Sequence, residues 1–187
     1  MPLSPAGQRE HLHTRNVQCQ GFRRPDGLWE IEGRIVDVKT YAFDNEWRGR
    51  VEAGTPVHEM WIRLTVDDTL TIRAVEAKTD HSPYRVCGDI APAFQKLVGL
   101  RMVPGFTGKT RELLGGTEGC THLVELLGPV ATTAFQTVYS RRERQKRAAA
   151  DPAAAKKRPR IIDTCHALAA DGEVVKRFWP DFYTGPK

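Results

Sequence analysis

Between His58 and Val66 the chain alternates: His58, Met60, Ile62, Leu64 and Val66 fall on one side of an extended backbone, and Glu59, Arg63 and Thr65 on the other. That is the two-residue period of a strand with one face to be buried. Asp67 and Asp68 supply turn chemistry, after which Leu70, Ile72 and Ala74 continue the apolar face. An earlier run, "LWEIEGRIVDVKTYAF", follows the turn signal Pro25-Asp26-Gly27 and precedes a polar, glycine-containing loop from Asp44 to Pro56. The pattern predicts three antiparallel strands, near Leu28 to Tyr41, His58 to Val66 and Leu70 to Lys78, with one side of the sheet needing cover. Residues 1–20 read as an N-terminal arm.

The period then lengthens. Beyond Cys87, Asp89 suits a helix N-cap, Ile90, Phe94, Leu97 and Val98 recur at helical spacing, and Gly99 is a natural stop. A region without clear periodicity, Arg101 to Gly116, ends in a double glycine. Leu123, Leu127, Val130, Ala134 and Val138 then recur at steps of three or four, with Leu126 and Phe135 beside them. This predicts an amphipathic helix of about seven turns. The expected fold is α+β, a three-stranded antiparallel sheet covered by a short and a long helix, with an arm (1–20), a domain (21–147), a basic linker (148–160) and a C-terminal tail (161–187) docked on the domain.

Charge adds less than its total suggests. The formal net charge is +5, yet nine Lys or Arg lie between Arg141 and Arg160 against Glu143 and Asp151. The rest carries 19 basic and 21 acidic residues, so the body is about −2. No aromatic side chains interleave the basic run, so a nucleic-acid partner is not expected. No apolar run approaches the roughly 18–20 residues that span a membrane, and "MPLSPAGQREHLHTR" lacks the apolar stretch of a signal peptide. Four scattered cysteines, Cys19, Cys87, Cys120 and Cys165, do not form a disulfide framework. The expectation is a cytoplasmic protein with reduced thiols, no membrane partner, and a small molecule as the substrate if it is an enzyme.

The order of sheet, cysteine loop, short helix, second loop and long helix resembles the iron-sulfur scaffold and sulfur-transfer fold of the IscU, NifU and SufU proteins. "CGD" at Cys87, Gly88 and Asp89 resembles the cysteine-glycine-aspartate motif of the zinc-bearing SufU branch. "GCTHLVELL" stands where that family carries its last metal-ligand motif. The family's middle cysteine has no counterpart in "KLVGLRMVPGFTGKTRELL". "DGLWEIEGRIVDVKTY", "PVHEMWIRLTVDD", "YRVCGDI" and "GCTHLVELL" together resemble, over most of the chain, a bacterial family catalogued as domain of unknown function 2889, which implies no activity.

Cys87, Asp89, Cys120 and His122 offer the thiolate, carboxylate and imidazole that zinc or iron takes, at about 2.0–2.3 Å for tetrahedral zinc. Free N–H groups at a helix start also favour a thiolate, which makes Cys120 a candidate nucleophile. Against this stands burial of both cysteines as small core residues. His58, on the apolar strand face, is either a hydrogen-bonded core residue or a member of the cysteine site, as ligand or catalytic base. Cys165 and His166 could join the same site. His11 and His13 lie in the arm beside Arg15 and read as solvated or capping groups. No phosphate-binding, dinucleotide or serine-nucleophile motif occurs. Three readings follow. One is a metal-binding protein or enzyme, with Cys87, Asp89, Cys120 and His122 around zinc or iron, in small-molecule or sulfur and metal handling. Another is a binding or adaptor protein with structural cysteines and a basic segment, at the end of the long helix, that binds an acidic partner. The last is a metal-free enzyme using Cys120 or His58 on a small organic acid.

Overall fold

The computed structural model describes residues 4, 6–148 and 157–186, without the side chains of 142–148. Most of the basic stretch expected to act as a linker therefore lies outside the described residues. The described chain is mixed α and β, and it divides into two units, Met1–Gln145 and Lys146–Lys187.

The first unit is built on a four-stranded antiparallel sheet of β1 (His13–Arg23), β2 (Trp29–Lys39), β5 (Pro56–Val66) and β6 (Ile72–His81), in the order β1-β2-β5-β6. Between β2 and β5 the polar loop carries a separate small hairpin, β3 (Phe43–Asn45) with β4 (Gly49–Val51). The sheet thus has four strands where the sequence pattern predicts three. The extra strand is formed by the predicted arm, whose "HTRNVQCQGFR" shows no apolar alternation because it is an edge. Its core-facing positions are Arg15, Val17, Cys19, Gly21 and Arg23, opposite Asp37, Ile35, Gly33, Ile31 and Trp29.

On β2 the buried face is Trp29, Ile31, Gly33, Ile35 and Asp37. On β5 it is Met60, Ile62, Leu64 and Val66, as their alternation predicts. β6 differs from expectation. The register shifts between Thr65 and Val66, so that Val66 pairs with Ile72 but Thr65 with Ala74. One extra residue, Arg73, reverses the phase, and Val75 rather than the exposed Ala74 takes the buried face.

Three helical elements cover that face. The segment Arg85–Leu97 is a 3-10 run preceded by Tyr84, not a helix capped by Asp89, which is exposed within it. Pro92 lies inside this run and has no N–H to donate. Phe94 and Leu97 are buried, and Gly99, at φ 87°, ends the segment as its position predicts. The region without periodicity holds a helix, α1 (Phe106–Leu114), with Phe106, Thr110 and Leu114 buried. The long helix α2 (Thr121–Ala148) buries Leu123, Leu126, Leu127, Val130, Ala134 and Val138. Two glycines seat it. A Cβ on Gly33 would lie 2.5 Å from a Val130 methyl, and one on Gly21 would lie 2.1 Å from the Thr137 hydroxyl. α2 therefore crosses β1 and β2 where the sheet has no side chain in its way.

The second unit has its own small core, Ile162, Ala170 and Val175, against which Trp179, Phe182 and Tyr183 pack. Asp163, in the left-handed region at φ 66°, accepts the Ala170 N–H at 2.8 Å, closing a turn ahead of α3 (Glu173–Phe178). Cys165 and His166 are both exposed in this turn. No helix among the described residues is long and apolar enough to cross a membrane.

Candidate functional site

The buried alternation of β2 ends on a carboxylate. Asp37 continues the row of Trp29, Ile31, Gly33 and Ile35 yet is only 1% exposed. Strand register sets its neighbours: Arg15 of β1 lies directly opposite on one side and His58 of β5 on the other. A bulge falls at this point, because the next pair is Val38 with Pro56, and Val57 is left over. From above the sheet comes the first turn of α2. Gly119 lets the chain pass Leu114, whose carbonyl oxygen would stand 2.2 Å from any Cβ there. The Val124 N–H then donates to the Cys120 carbonyl at 2.9 Å, opening the helix. His122 and Glu125, three residues apart and so neighbours on the helix surface, both reach the cluster.

Arg15 grips Asp37 with two prongs, Nε to Oδ1 at 2.7 Å and Nη2 to Oδ2 at 2.8 Å, and its Nη1 donates to Glu125 Oε2 at 2.7 Å. His13 Nε2 stands 3.2 Å from Asp37 Oδ1, and His58 Nδ1 stands 3.1 Å from Oδ2. His122 Nε2 is 3.8 Å from Oδ2, too far for a hydrogen bond. The rings of His58 and His122 lie face to face, centroids 3.8 Å apart and tilted by 31°. Among the described residues, Asp37, His58 and His122 are the group of three or more His, Cys, Asp or Glu residues whose ligand atoms lie within 4.8 Å of one another. Such a group could hold a metal.

Burial pushes the Asp37 carboxyl up. The paired hydrogen bonds and charge of Arg15, helped by His13 and His58, outweigh it and hold the pKa at about 2. Asp37 is therefore ionised at neutral pH and can only accept. A contact of 3.1 Å then requires the proton on His58 Nδ1, which leaves a lone pair on Nε2. The His58 pKa is pushed down by burial and then by the nearby His122, with Asp37 pulling the other way. His122 is pushed down by burial and then by Arg15. Both imidazoles are thus biased towards the neutral form.

The structure brings some predicted residues here and leaves others out. His58 and His122 are at the centre, and Cys120 is at its margin, with Sγ 4.0 Å from His122 Nδ1 and 3.6 Å from Met60 Sδ. Cys87 and Asp89 lie in the 3-10 run and belong to no such group of ligand atoms among the described residues. The cluster replaces the expected quartet because the carboxylate comes from β2, not from the loop after Cys87. Asp37, Arg15 and His13 are the residues that sequence reasoning missed. One signal was present, an acidic residue in phase with the apolar positions Ile31 and Ile35.

No curated protein and no solved structure matches the chain, so the likeness to the IscU, NifU and SufU scaffolds finds no structural counterpart. A family of proteins of unknown function does match, over residues 13–136, from the first residue of β1 through most of the buried part of α2 and including every residue of the Asp37 cluster. The chain belongs to that family, DUF2889.

Proposed function

We propose that the Asp37 cluster is a metal-free acid–base centre acting on a small organic acid, with His58 as the base. The observation that carries this reading is the bond from His58 Nδ1 to an Asp37 whose two oxygens are already held by Arg15. A carboxylate fixed in this way orients the imidazole, selects its tautomer and stabilises the imidazolium that forms when Nε2 takes a proton. In the proposed step Nε2 removes a proton from the carbon next to the substrate's carbonyl, and the imidazolium returns it from the same atom. Arg15 offers the substrate a place to dock. Its bond to Glu125, a side chain 54% exposed, is a surface contact of about 0–1 kcal/mol that a substrate carboxylate can exchange for.

The metal reading rests on the closeness of Asp37, His58 and His122, with zinc or iron as the ions that imidazole and carboxylate would suit. Two features weigh against it. The imidazole lone pairs lie in the ring planes, and rings stacked at 3.8 Å aim them side by side instead of at one point. A cation on Asp37 would also have to share that carboxylate with the Arg15 guanidinium, a like charge that already holds both of its oxygens. Exchange of the activated hydrogens of alpha-oxo and beta-oxo acids into heavy water, followed by proton NMR, tests the proposal. The expected result is exchange by chelator-treated wild type and none by His58→Gln. Stoichiometric zinc or iron retained through dialysis and lost in Asp37→Asn would overturn it in favour of the metal.

A further inference from the structure

The two edges of the main sheet are unlike. β6 is closed off. The Ile72 N–H donates to the Leu100 carbonyl, the Gly99 N–H donates to the Ile72 carbonyl, Gln95 Nε2 donates to the Val75 carbonyl, and Thr71 bridges to Arg101. Arg73, Glu76, Lys78 and Asp80 add charge along it. Among the described residues β1 has less of both: of its outward backbone groups only the His13 carbonyl is met, by His11 Nε2 at 3.1 Å, and its charges are Arg15, paired with Asp37, and Arg23 at its end. It is 11 residues long, pairs with β2 in unbroken register, contains no Pro or Lys, and is exposed over most of its length, including Val17 and Phe22. Natural sheets blunt a long flat edge by these devices, because its unpaired N–H and C=O groups are a template for another strand.

The register identifies the open groups. The Thr40 N–H donates to the Leu12 carbonyl, in line with the β1–β2 pairing. Hydrogen-bonded and non-bonded pairs alternate along an antiparallel ladder, so Thr14, Asn16, Gln18, Gln20 and Phe22 bond inward to β2. His13, Arg15, Val17, Cys19, Gly21 and Arg23 turn their N–H and C=O groups outward.

We propose that β1 is a homodimer interface, pairing antiparallel with β1 of a second copy about a twofold axis at Gln18 to form one continuous eight-stranded sheet. This register pairs every outward group: Val17 with Cys19, Arg15 with Gly21, and His13 with Arg23 of the second copy. Directly opposed residues share a face, so on the core side Val17 meets Cys19, and Arg15 meets a glycine and not a like charge. On the other side Asn16 faces Gln20, Gln18 faces its own copy, and Phe22 faces Thr14, with no charge among them. Arg15 is already neutralised within its own copy by Asp37 and Glu125, and Arg23 lies at the end of the span. The pairing also sets Arg23 of the second copy across from His13, at the rim of the Asp37 cluster.

Gln18→Cys tests the register, because a non-hydrogen-bonded antiparallel pair holds its Cα atoms about 4.5 Å apart, within disulfide reach. In a Cys19→Ser, Cys165→Ser background, Gln18→Cys should form an intermolecular disulfide on mild oxidation. Gln20→Cys alone should not, and Gln20→Cys mixed with Asn16→Cys should. Light scattering should give a dimer for wild type and a monomer with an unchanged circular dichroism spectrum for Val17→Lys. A monomeric wild type at high micromolar concentration, a Val17→Lys protein that stays dimeric, or cross-linking by Gln20→Cys but not Gln18→Cys would each overturn the proposal. Should Val17→Lys fail to fold, the cross-linking pattern decides alone.

Discussion

The covered face of the sheet has two ends made by one strand pattern but by different chemistry. At one end Trp29, Ile31, Leu64 and Val66 pack in the apolar core, and at the other the same alternation places Asp37 and His58. The apolar end needs only shape and volume. At the polar end every buried atom needs a partner, and Asp37 has several, from β1 and β5, while His122 at the start of α2 stacks on His58. Burial alone therefore does not mark the site. What marks it is a charge buried at a place where four segments of chain must agree.

Removing that charge should have the largest effect. Asp37→Ala strips Arg15, His13 and His58 of their shared acceptor, and losing one side of a buried ion pair costs about 3–5 kcal/mol. Ile35→Ala, one step along the same face, should cost about 2–5 kcal/mol from its cavity. The two differ in their response to acid. Urea unfolding should show the Ile35→Ala deficit constant with pH, whereas the Asp37→Ala deficit should shrink towards pH 2. The sign follows from the depressed carboxyl. Its folded pKa of about 2 lies below the unfolded value of about 3.9, so its stabilisation is present above about pH 4 and fades as pH falls through 2. Equal pH dependence in the two variants would break the contrast.

The seat of α2 comes next, since it holds both ends together. Gly33→Val must push a methyl group into Val130 and Leu126, an overpacking that costs about 1–3 kcal/mol. By tilting α2 it should also loosen His122 from His58, visible as a change in the imidazole NMR shifts. A stable Gly33→Val protein with unaltered imidazole signals would mean that the crossing does not position the site.

A smaller effect separates the histidines from the carboxylate. Both His58 and His122 have folded pKa values lowered below 6.5, so the unfolded chain takes up their protons first as pH falls. Stability should be flat above about pH 7 and should begin to fall below about 6.5, before the Asp37 leg near pH 4 begins. In a His58→Gln, His122→Gln double variant the upper leg should vanish and the lower one remain.

Much of the fold was legible, and its failures have physical causes. β2 and β5 declare themselves because one face is buried and the other wet. β1 does not, since an edge strand lying under Thr133 and Thr137 of a helix can carry Cys19 and Gly21 where a central strand needs large apolar groups. α1 was hidden because Phe106, Thr110 and Leu114 bury one narrow stripe of a helix of nine residues. Half of the site was visible as well. His58 sat on an apolar face and His122 at a helix start, but the residue joining them lies 21 positions from His58 in sequence. Only the register of β2 against β5, with its bulge after Asp37, brings them together.

The smallest predicted difference is between the two cysteines, and it bears on which helix start belongs to the site. Cys120 is half-buried against Met60 and His122, so Cys120→Ala should remove packing worth about 1 kcal/mol and perturb the His122 ring. Cys87 is half-buried as well, but it lies in the 3-10 run between the exposed Val86 and the exposed Gly88 and Asp89. With exposed neighbours on both sides, Cys87→Ala should cost no more than Cys120→Ala, within about 1 kcal/mol of wild type. It should also leave the imidazole NMR signals of His58 and His122 unmoved. The 3-10 run contains Cys87 and α2 follows Cys120, yet of the two only α2 starts beside a buried carboxylate. If Cys87→Ala shifted those imidazole signals as much as Cys120→Ala did, the 3-10 run would have to be counted into the site. The chemistry would then include a thiol that the Asp37 cluster does not otherwise use.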